Sequence, residues 1–124
     1  MIELPKGMSI PLRREEEIKK HSGGGLIATV MEMPNGSVKG TLVLTTHRVV
    51  FGRTSGLISK KTEVLFSTDH SMIQSVRTQG LINKDLIIDY IPGAGATKSV
   101  VFKSVKSPVQ WQQEIQTHIM GITQ

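Results

Sequence analysis

The chain has 124 residues, the usual size of one domain, and this length predicts a single domain. Only 4% of its residues are aromatic, so aliphatic side chains must form most of the core. The absence of cysteine excludes disulfides, thiolate catalysis and cysteine-ligated zinc. No apolar run approaches the roughly 20 residues of a spanning helix, and the N-terminus lacks the apolar core of a signal peptide. We therefore expect a cytoplasmic protein.

The net charge of +5 is unevenly distributed along the chain. Residues 1–38 are nearly balanced, whereas residues 39–106 hold ten Lys or Arg and four acidic residues, an excess of +6. Such an excess favours anionic partners, which include phosphoinositide headgroups, anionic lipid surfaces and nucleic acid. The alternative is that the charge only keeps a small protein soluble.

Residues 1–23 are expected to form a weakly ordered N-terminal segment that leads into the domain. The charge block at 13–20 places Glu four positions before Lys, a favourable helical pairing, and can form a helical turn or two. The glycines that follow stop any helix. The domain is therefore expected to cover residues 24–121, with residues 122–124 as a tail.

Short apolar runs separated by turn residues predict seven β-strands. The first is expected to end at Pro34-Asn35-Gly36, because Asn-Gly is the strongest short hairpin signal. Only the polar reversal at 45–48 separates the second strand from the third, and alternating apolar residues give each an interior face. The predicted strands cover residues 26–33, 38–46, 47–53, 62–67, 71–78, 85–91 and 97–103.

The last segment changes to a helical period. The string Ser107-Pro108-Val109-Gln110 matches a capping box with Pro at the first helical position, which predicts a helix start. An apolar stripe follows, and the helix is expected to end near Gly121. We expect this stripe to be buried as a lid on the strands, although contact with a membrane or a partner is the alternative. It consists of Trp111, Ile115, Ile119 and Ile122.

The segment between the second and third strands carries a family resemblance. Its Gly-x-Leu-x-Leu-Thr-x-x-Arg pattern, followed by two hydrophobic residues and an aromatic one, resembles the pleckstrin-homology (PH) superfamily, specifically its GRAM, bacterial PH-like and GLUE branches. The sequence Leu-Thr-Thr-His-Arg within it is most similar to the GLUE domain of the endosomal sorting (ESCRT-II) machinery. The matching residues are Gly40, Leu42, Leu44, Thr45, Arg48, Val49, Val50 and Phe51.

The resemblance covers residues 24–120 and implies a mainly β fold. That fold is a seven-stranded, partly open barrel capped by one C-terminal amphipathic helix. Domains of this superfamily are binding modules, so the resemblance implies a noncatalytic protein. Phosphoinositide-binding members typically carry a run of Lys and Arg around the first hairpin. Here that hairpin offers only Lys39, so the resemblance points to a site in the later loops.

The residues themselves give little support for catalysis. The four histidines have neither metal-ligand spacing nor a clear nucleophile partner. Asp69-His70-Ser71 are adjacent and cannot converge as a relay on a strand, where successive side chains face opposite ways. The glycine-rich pieces lack the Gly-Lys-Ser/Thr ending of a phosphate loop. We expect no enzyme, no metal and no cofactor.

The long loop after the third strand is the first candidate for anion contacts. It displays Leu57 and Ile58 between Arg53 on one side and Lys60 and Lys61 on the other. This arrangement suits insertion of two apolar side chains into a lipid interface while cations meet phosphates. The alternative is that both apolar side chains pack against the barrel.

A later loop repeats the string Gly-Leu-Ile with a nearby cation, Lys84. We expect both loops to act together if they lie at the same end of the barrel. Arg48 in the tight reversal is a further option, because a guanidinium holds a phosphate with two hydrogen bonds. The alternative, which we favour, is that Arg48 braces neighbouring carbonyl groups.

These observations predict a noncatalytic module that recruits a complex to anionic membrane lipid, with a role in ESCRT-like membrane sorting. The alternative is a protein adaptor that recognises a ubiquitin-like partner through the final helix or an open strand edge. Nucleic acid is disfavoured as a partner, because Tyr90 is the only tyrosine and no stacking platform is visible. We expect a peripheral location at the membrane.

Overall fold

The computed structural model describes residues 2–23, 27–56 and 58–122. Of Ile122 only the backbone is described. Mainly β structure with one C-terminal helix is confirmed, and each predicted strand has a counterpart among β2 to β8. Residues 24–26, which include the start of the predicted first strand, and residues 123–124 of the predicted tail lie outside the described residues. The elements are β1 (Ile18–His21), β2 (Thr29–Met33), β3 (Gly36–Thr45), β4 (Arg48–Ser55), β5 (Lys61–Asp69), β6 (Ile73–Gln79), β7 (Asp85–Tyr90), β8 (Lys98–Lys103) and α1 (Pro108–Ile122).

The strands form one antiparallel sheet in the order β5-β4-β3-β2-β8-β7-β6. β5 and β6 are the outermost strands of this order and, in the described part of the chain, do not pair with each other. Phe66 of β5 nevertheless packs edge-on against Tyr90 of β7, with ring centroids 5.1 Å apart. The predicted partly open barrel is confirmed, and aromatic side chains bridge the seam that backbone hydrogen bonds leave open.

An eighth strand, β1, lies in the segment for which no strand was predicted. It pairs with the second half of β3, so that Ile18 is opposite Thr45 and His21 is opposite Val43. The predicted helical turn is wrong, because favourable i,i+4 pairs contribute only about 0.2–0.5 kcal/mol each, whereas strand pairing satisfies free backbone groups of β3. These contacts favour an ordered N-terminal segment; the domain boundary at residue 24 stays a prediction.

The N-terminal segment also covers the outer face of β3 and β4. Met8 and Ile10 pack against Val43 and Val50, whose side chains face away from the barrel interior. This explains why Val43 is as fully buried as its neighbours Leu42 and Leu44, although the three residues alternate between the two faces of β3. The two strands that carry the family pattern are therefore buried on both faces.

The main core lies inside the barrel and α1 closes one end of it. Phe51 and Phe102 contact each other from β4 and β8, with centroids 5.5 Å apart. Trp111 and Ile115 of α1 are almost completely buried in the same cluster. The Gln112 side-chain amide donates to the carbonyl oxygen of Val76 at 3.0 Å, so α1 also covers part of the β6 edge. The predicted lid is confirmed for Trp111 and Ile115, and Ile119 packs partly buried against the same cluster. The side chain of Ile122 lies outside the described residues.

α1 begins at Pro108 as predicted, but its cap differs from a capping box. Ser107 has a φ of +57°, whereas an N-cap residue is normally extended. Within the described ranges, no hydrogen bond joins the Ser107 hydroxyl to the first turn. The first backbone N–H groups of a helix have no acceptor inside the helix. Pro108 has no N–H and the N–H of Trp111 donates to the Ser107 carbonyl oxygen at 3.2 Å, so the N–H groups of Val109 and Gln110 are the ones open to an outside acceptor.

Candidate functional site

The residues of the family pattern hold the reversal between β3 and β4. The Thr45 hydroxyl oxygen accepts hydrogen bonds from the backbone N–H groups of His47 and Arg48, both at 3.0 Å. Gly40 is required because a Cβ there would clash with a backbone carbonyl of β4 and lie 2.8 Å from Cζ of Phe51. The pattern therefore specifies backbone geometry in this chain.

Arg48 is tied to the N-terminal segment. Its Nε lies 2.9 Å from Oε2 of Glu16, and its Nη2 donates to the carbonyl oxygen of Pro11 at 2.8 Å. The buried Glu16 carboxylate also accepts hydrogen bonds from the Thr45 hydroxyl and the Arg13 backbone N–H. Arg48 braces a carbonyl group as the favoured interpretation predicted, and its side chain is only 11% exposed, so it is not the anion site.

The Glu16 carboxylate is ionised in spite of its burial. Burial acts to raise the pKa of Glu16, but hydrogen bonds from Arg48, Thr45 and the Arg13 backbone outweigh it and lower the pKa to about 2. A carboxylate that accepts several hydrogen bonds and faces a guanidinium is strongly stabilised in its charged form. This ion pair joins the N-terminal segment to the β3–β4 reversal.

The segment 53–61 consists of the end of β4, a turn at residues 56–60 and the first residue of β5, so the predicted long loop is shorter than expected. The turn has an exposed apolar tip. Ile58 is fully exposed, so the alternative in which it packs against the barrel is wrong for this residue. Leu57 lies outside the described residues. Gly56 has a φ of +110°, and a Cβ there would clash with the carbonyl oxygen of Ser59. A tight turn that requires glycine therefore presents Ile58 to solvent.

Three cations flank this tip in different settings. Arg53 is paired with Glu63 at 3.3 Å. Lys60 and Lys61 are exposed, and neither forms an ion pair with any described residue. The stem of Lys60 lies beside Gly7, since a Cβ on Gly7 would be 3.1 Å from its Cγ. Both lysines can therefore meet an outside anion.

An open groove lies beside the β6–β7 loop, residues 80–84. It is bounded by residues 20–23, by this loop, by the link from β8 to α1 and by the first turns of α1. Its volume is about 1760 Å³. Three separate stretches of the chain contribute cations to it. The lysines that line it are Lys20, Lys84, Lys103 and Lys106.

The four lysines of the groove divide into two pairs. Lys20 contacts Glu114 at 3.2 Å, and Lys103 contacts Glu32 at 2.9 Å. Lys84 and Lys106 form no ion pair with the residues that the structure describes. Asp85 is the acidic residue among the lining side chains. The groove therefore has a net positive charge with two uncompensated ammonium groups.

The start of α1 adds to this positive character. Ser107 and the first turns of the helix line the groove, so the open N–H groups and the positive end of the helix dipole lie there. Trp111 also lines it, and the Lys20 ammonium lies 5.4 Å from the centroid of the Trp111 ring. A phosphate is the kind of group that such a surface attracts.

The rim of the groove is apolar. Leu81 and Ile82, at the tip of the β6–β7 loop, are 99% and 91% exposed. Ile27, which lines the groove from the side of the N-terminal segment, is 71% exposed. Adjacent exposed apolar side chains such as Leu81 and Ile82 are typical of interaction surfaces when they form a contiguous patch.

The two candidate loops lie at opposite ends of the strands. Thr41 pairs with Gly52, so β4 runs from there toward the β2–β3 hairpin, and the segment 53–61 projects at the hairpin end. Leu86 near the start of β7 pairs with Phe102, which pairs with Met31. β7 therefore begins where β2 begins, away from the hairpin. The condition for joint action of the two loops is not met, and Lys84 belongs to the groove alone.

Sequence reasoning missed most of the groove. Lys20 lies in the N-terminal segment, outside the predicted domain. Lys103 is the last residue of β8, and Lys106 lies in the link from β8 to α1. Cations beside a helix N-terminus are unfavourable for the helix dipole. Lys106, two residues before Pro108, was therefore a visible indication of a charge placed for another purpose.

His70 and His118 form a stacked pair between the 3₁₀ turn after β5 and α1. Their ring centroids are 5.0 Å apart and the planes are nearly parallel. Nε2 of His70 donates to the carbonyl oxygen of Thr45 at 2.8 Å, so Nδ1 is the unprotonated nitrogen, and within the described part it has no partner. Burial is the main cause that lowers the pKa of both imidazoles.

The string Asp69-His70-Ser71 does not form a relay. The His70 ring is turned into the interior, while Asp69 contacts Arg13 at 2.9 Å. In the described ranges, no group of three or more His, Cys, Asp or Glu side chains is arranged to hold a metal ion. No helix within those ranges is long and apolar enough to cross a membrane.

An open antiparallel barrel with a C-terminal helix across one end is the PH-like fold. The solved structure of a Vps36 N-terminal PH domain matches with a TM-score of 0.65 and 15% sequence identity, over 91% of this chain and 86% of that one. This match confirms the fold that the family pattern implied. A pleckstrin homology domain from Shewanella amazonensis SB2B also matches, with a TM-score of 0.49 and 20% identity over 88% of each chain. No protein-family profile and no curated protein sequence matches the chain.

Proposed function

We propose that this protein is a noncatalytic binding module that docks on anionic membrane lipid through the groove at the start of α1. The observation that carries the proposal is the convergence of four lysines from three stretches of the chain on the helix N-terminus. The exposed Leu81 and Ile82 at the rim fit a lipid interface better than a soluble anion.

Docking begins with the two uncompensated ammonium groups. Lys84 and Lys106 contact lipid phosphates first, and each lysine contributes about 1 kcal/mol of attraction near an anionic surface. Lys20 and Lys103 then exchange their pairing with Glu114 and Glu32 for contacts to phosphate. At the same time the tip of the β6–β7 loop enters the interfacial layer and removes apolar surface from water.

The PH-like fold supports the general part of this proposal, since PH-like domains are generally binding modules. The more specific part is that the module works peripherally at a cytoplasmic membrane face and recruits a complex there, in an ESCRT-like sorting role. The resemblance of the β3–β4 pattern to GLUE domains supports this part.

Vesicle flotation tests the proposal. The purified protein is mixed with vesicles of phosphatidylcholine alone, of equal parts phosphatidylcholine and phosphatidylserine, or of phosphatidylcholine with a phosphoinositide, at low and moderate salt. We expect flotation only with the anionic vesicles, weaker at moderate salt because exposed charges are screened. Absence of flotation with every vesicle would contradict the proposal and favour a protein adaptor.

Charge reversal assigns the binding to the groove. Lys84→Glu combined with Lys106→Glu should weaken binding to anionic vesicles at least about tenfold, because two contacts of about 1 kcal/mol each become repulsive. The control combines Arg14→Glu with Lys98→Glu, two exposed cations outside the groove that give the same change in net charge. Equal losses in both variants would mean that only the overall charge matters.

A further inference from the structure

The segment 53–61 has features that the groove does not use. Ile58 is fully exposed at its tip, and Lys60 and Lys61 are exposed with no ion-pair partner in the described part of the chain. Lys6 is also exposed and precedes Gly7, against which the Lys60 stem lies. An apolar tip surrounded by cations is the arrangement that binds the interface of an anionic bilayer.

The shape of this surface differs from that of the groove. Lys60 lies on a projecting turn with Lys61 directly after it, and Lys6 lies on the neighbouring N-terminal turn. Arg53 forms an ion pair with Glu63. The surface is therefore complementary to a plane of negative charge, which an anionic bilayer presents, rather than to a single headgroup.

The barrel holds this surface and the groove apart. Gly36 of β3 lies at the hairpin end, while Val43 pairs with His21 in the wall of the groove. The seven residue steps between them span about 23 Å at roughly 3.3 Å per residue. Because the two surfaces lie at opposite ends of a rigid sheet, one flat bilayer cannot contact both.

We propose that Ile58, Lys60 and Lys61 form a second membrane-contact surface, so that one molecule bridges two anionic bilayers. The inference rests on the proposed function, because the groove must hold the first bilayer. The Lys60, Lys61 and Ile58 side chains then contact the second bilayer. The second surface is the weaker one, since its cations lack the helix N-terminus that lies beside the lysines of the groove, and it acts once the groove has concentrated the protein on a vesicle.

Clustering and binding are measured on the same samples. Vesicles of equal parts phosphatidylcholine and phosphatidylserine receive the full chain, and dynamic light scattering follows their apparent size while sedimentation gives the bound fraction. We expect the wild-type protein to cluster these vesicles and to leave phosphatidylcholine vesicles dispersed. Bound protein that leaves anionic vesicles dispersed would overturn the bridging proposal and leave the proposed function intact. Absence of binding would overturn both.

Two variants with the same change in net charge separate the surfaces. Lys60→Glu combined with Lys61→Glu should lower the clustering rate at least about tenfold and the bound fraction less than about threefold. Lys84→Glu combined with Lys106→Glu should lower binding and clustering together. Clustering that persists in the first variant would overturn the assignment, because self-association of bound protein would then explain it. The exposed position of Lys60 and Lys61 makes unfolding an implausible cause of lost clustering, and circular dichroism checks this.

Discussion

Two loops of this protein share almost the same sequence and lie in different surroundings. Residues 56–60 read Gly-Leu-Ile-Ser-Lys, and residues 80–84 read Gly-Leu-Ile-Asn-Lys. Lys60 of the first string lies beside Gly7 of the N-terminal segment, whereas the second string forms one wall of a groove to which distant stretches of chain add three further lysines. The comparison teaches that an apolar tip with a cation is a local property, while a binding site depends on what the fold places around it.

The largest expected effect concerns residues 20–23, the wall of the groove that has no counterpart at the segment 53–61. Residues 20–23 reach the groove because Glu16 and Arg48 hold the N-terminal segment on the barrel. Glu16→Gln should lower the free energy of unfolding by about 3–5 kcal/mol, the cost of removing one partner of a buried ion pair. Urea unfolding measures this loss.

Glu17→Gln is the matched control for that change, because the Glu17 side chain is largely exposed. It should alter stability by less than about 0.5 kcal/mol. A loss in Glu16→Gln as small as in the control would contradict the role of the ion pair. The pKa of Glu16 is lowered in the fold to about 2, so its stabilisation is present above the ordinary value of 4.5 and is lost as the pH falls between them.

The next effect concerns the apolar tip of the β6–β7 loop. Leu81→Ser combined with Ile82→Ser should weaken binding to anionic vesicles at least about tenfold, because both side chains leave water on docking. The free energy of unfolding should hardly change, since both side chains are exposed in the free protein. An unchanged vesicle affinity would show that the groove binds without insertion of this tip.

A smaller effect is expected from pH, through the helix that supplies the groove. The pKa of His70 and of His118 is lowered from 6.5, mainly by burial, so the unfolded chain binds protons that the folded protein does not. Stability should therefore be fully present above about pH 6.5 and decrease as the pH falls below it. Urea unfolding at pH 7 and pH 5.5 measures the difference.

His118→Gln tests whether the histidine pair causes that pH dependence. Other charges face the two rings: Asp69 and His47 near His70, and Lys19 and Glu114 near His118. These remain in the variant, which should lose part of the decrease between pH 7 and pH 5.5. An identical decrease in variant and wild type would place its origin elsewhere.

The smallest effect is expected at the other loop. Ile58→Ser should reduce vesicle affinity by less than about threefold, because the groove supplies most of the binding. It should lower vesicle clustering more than binding. A loss of affinity as large as that of the double change at Leu81 and Ile82 would reverse the comparison, and would make the segment 53–61 the main membrane surface.

Much of the fold could be predicted from the sequence, because its stabilising patterns are local. The Asn35-Gly36 turn, the alternation of apolar residues in β3 and β4, and the helical spacing from Trp111 to Ile115 each act over a few residues. β1 could not be predicted in this way, since its partner β3 is more than twenty residues distant and its own sequence is charged. Long-range pairing decided its structure.

The candidate site was predictable only in part for the same reason. Lys84 and the exposure of Ile58 follow from local turn sequences. The groove requires that Lys20, Lys84 and Lys106 meet, and only the strand register brings these residues together. Arg48 was visible in the family pattern, but its acidic partner lies 32 positions earlier in a charge block with several equivalent glutamates.

Amide chemical shifts during titration with a soluble short-chain phosphoinositide would show whether the groove is the anion site. If it is, the largest changes should map to residues 82–84, to residues 103–107 and to the Trp111 indole, with residues 58–61 little affected. Changes confined to residues 58–61, or no changes at a concentration that saturates vesicle binding, would contradict the assignment of the anion site to the groove.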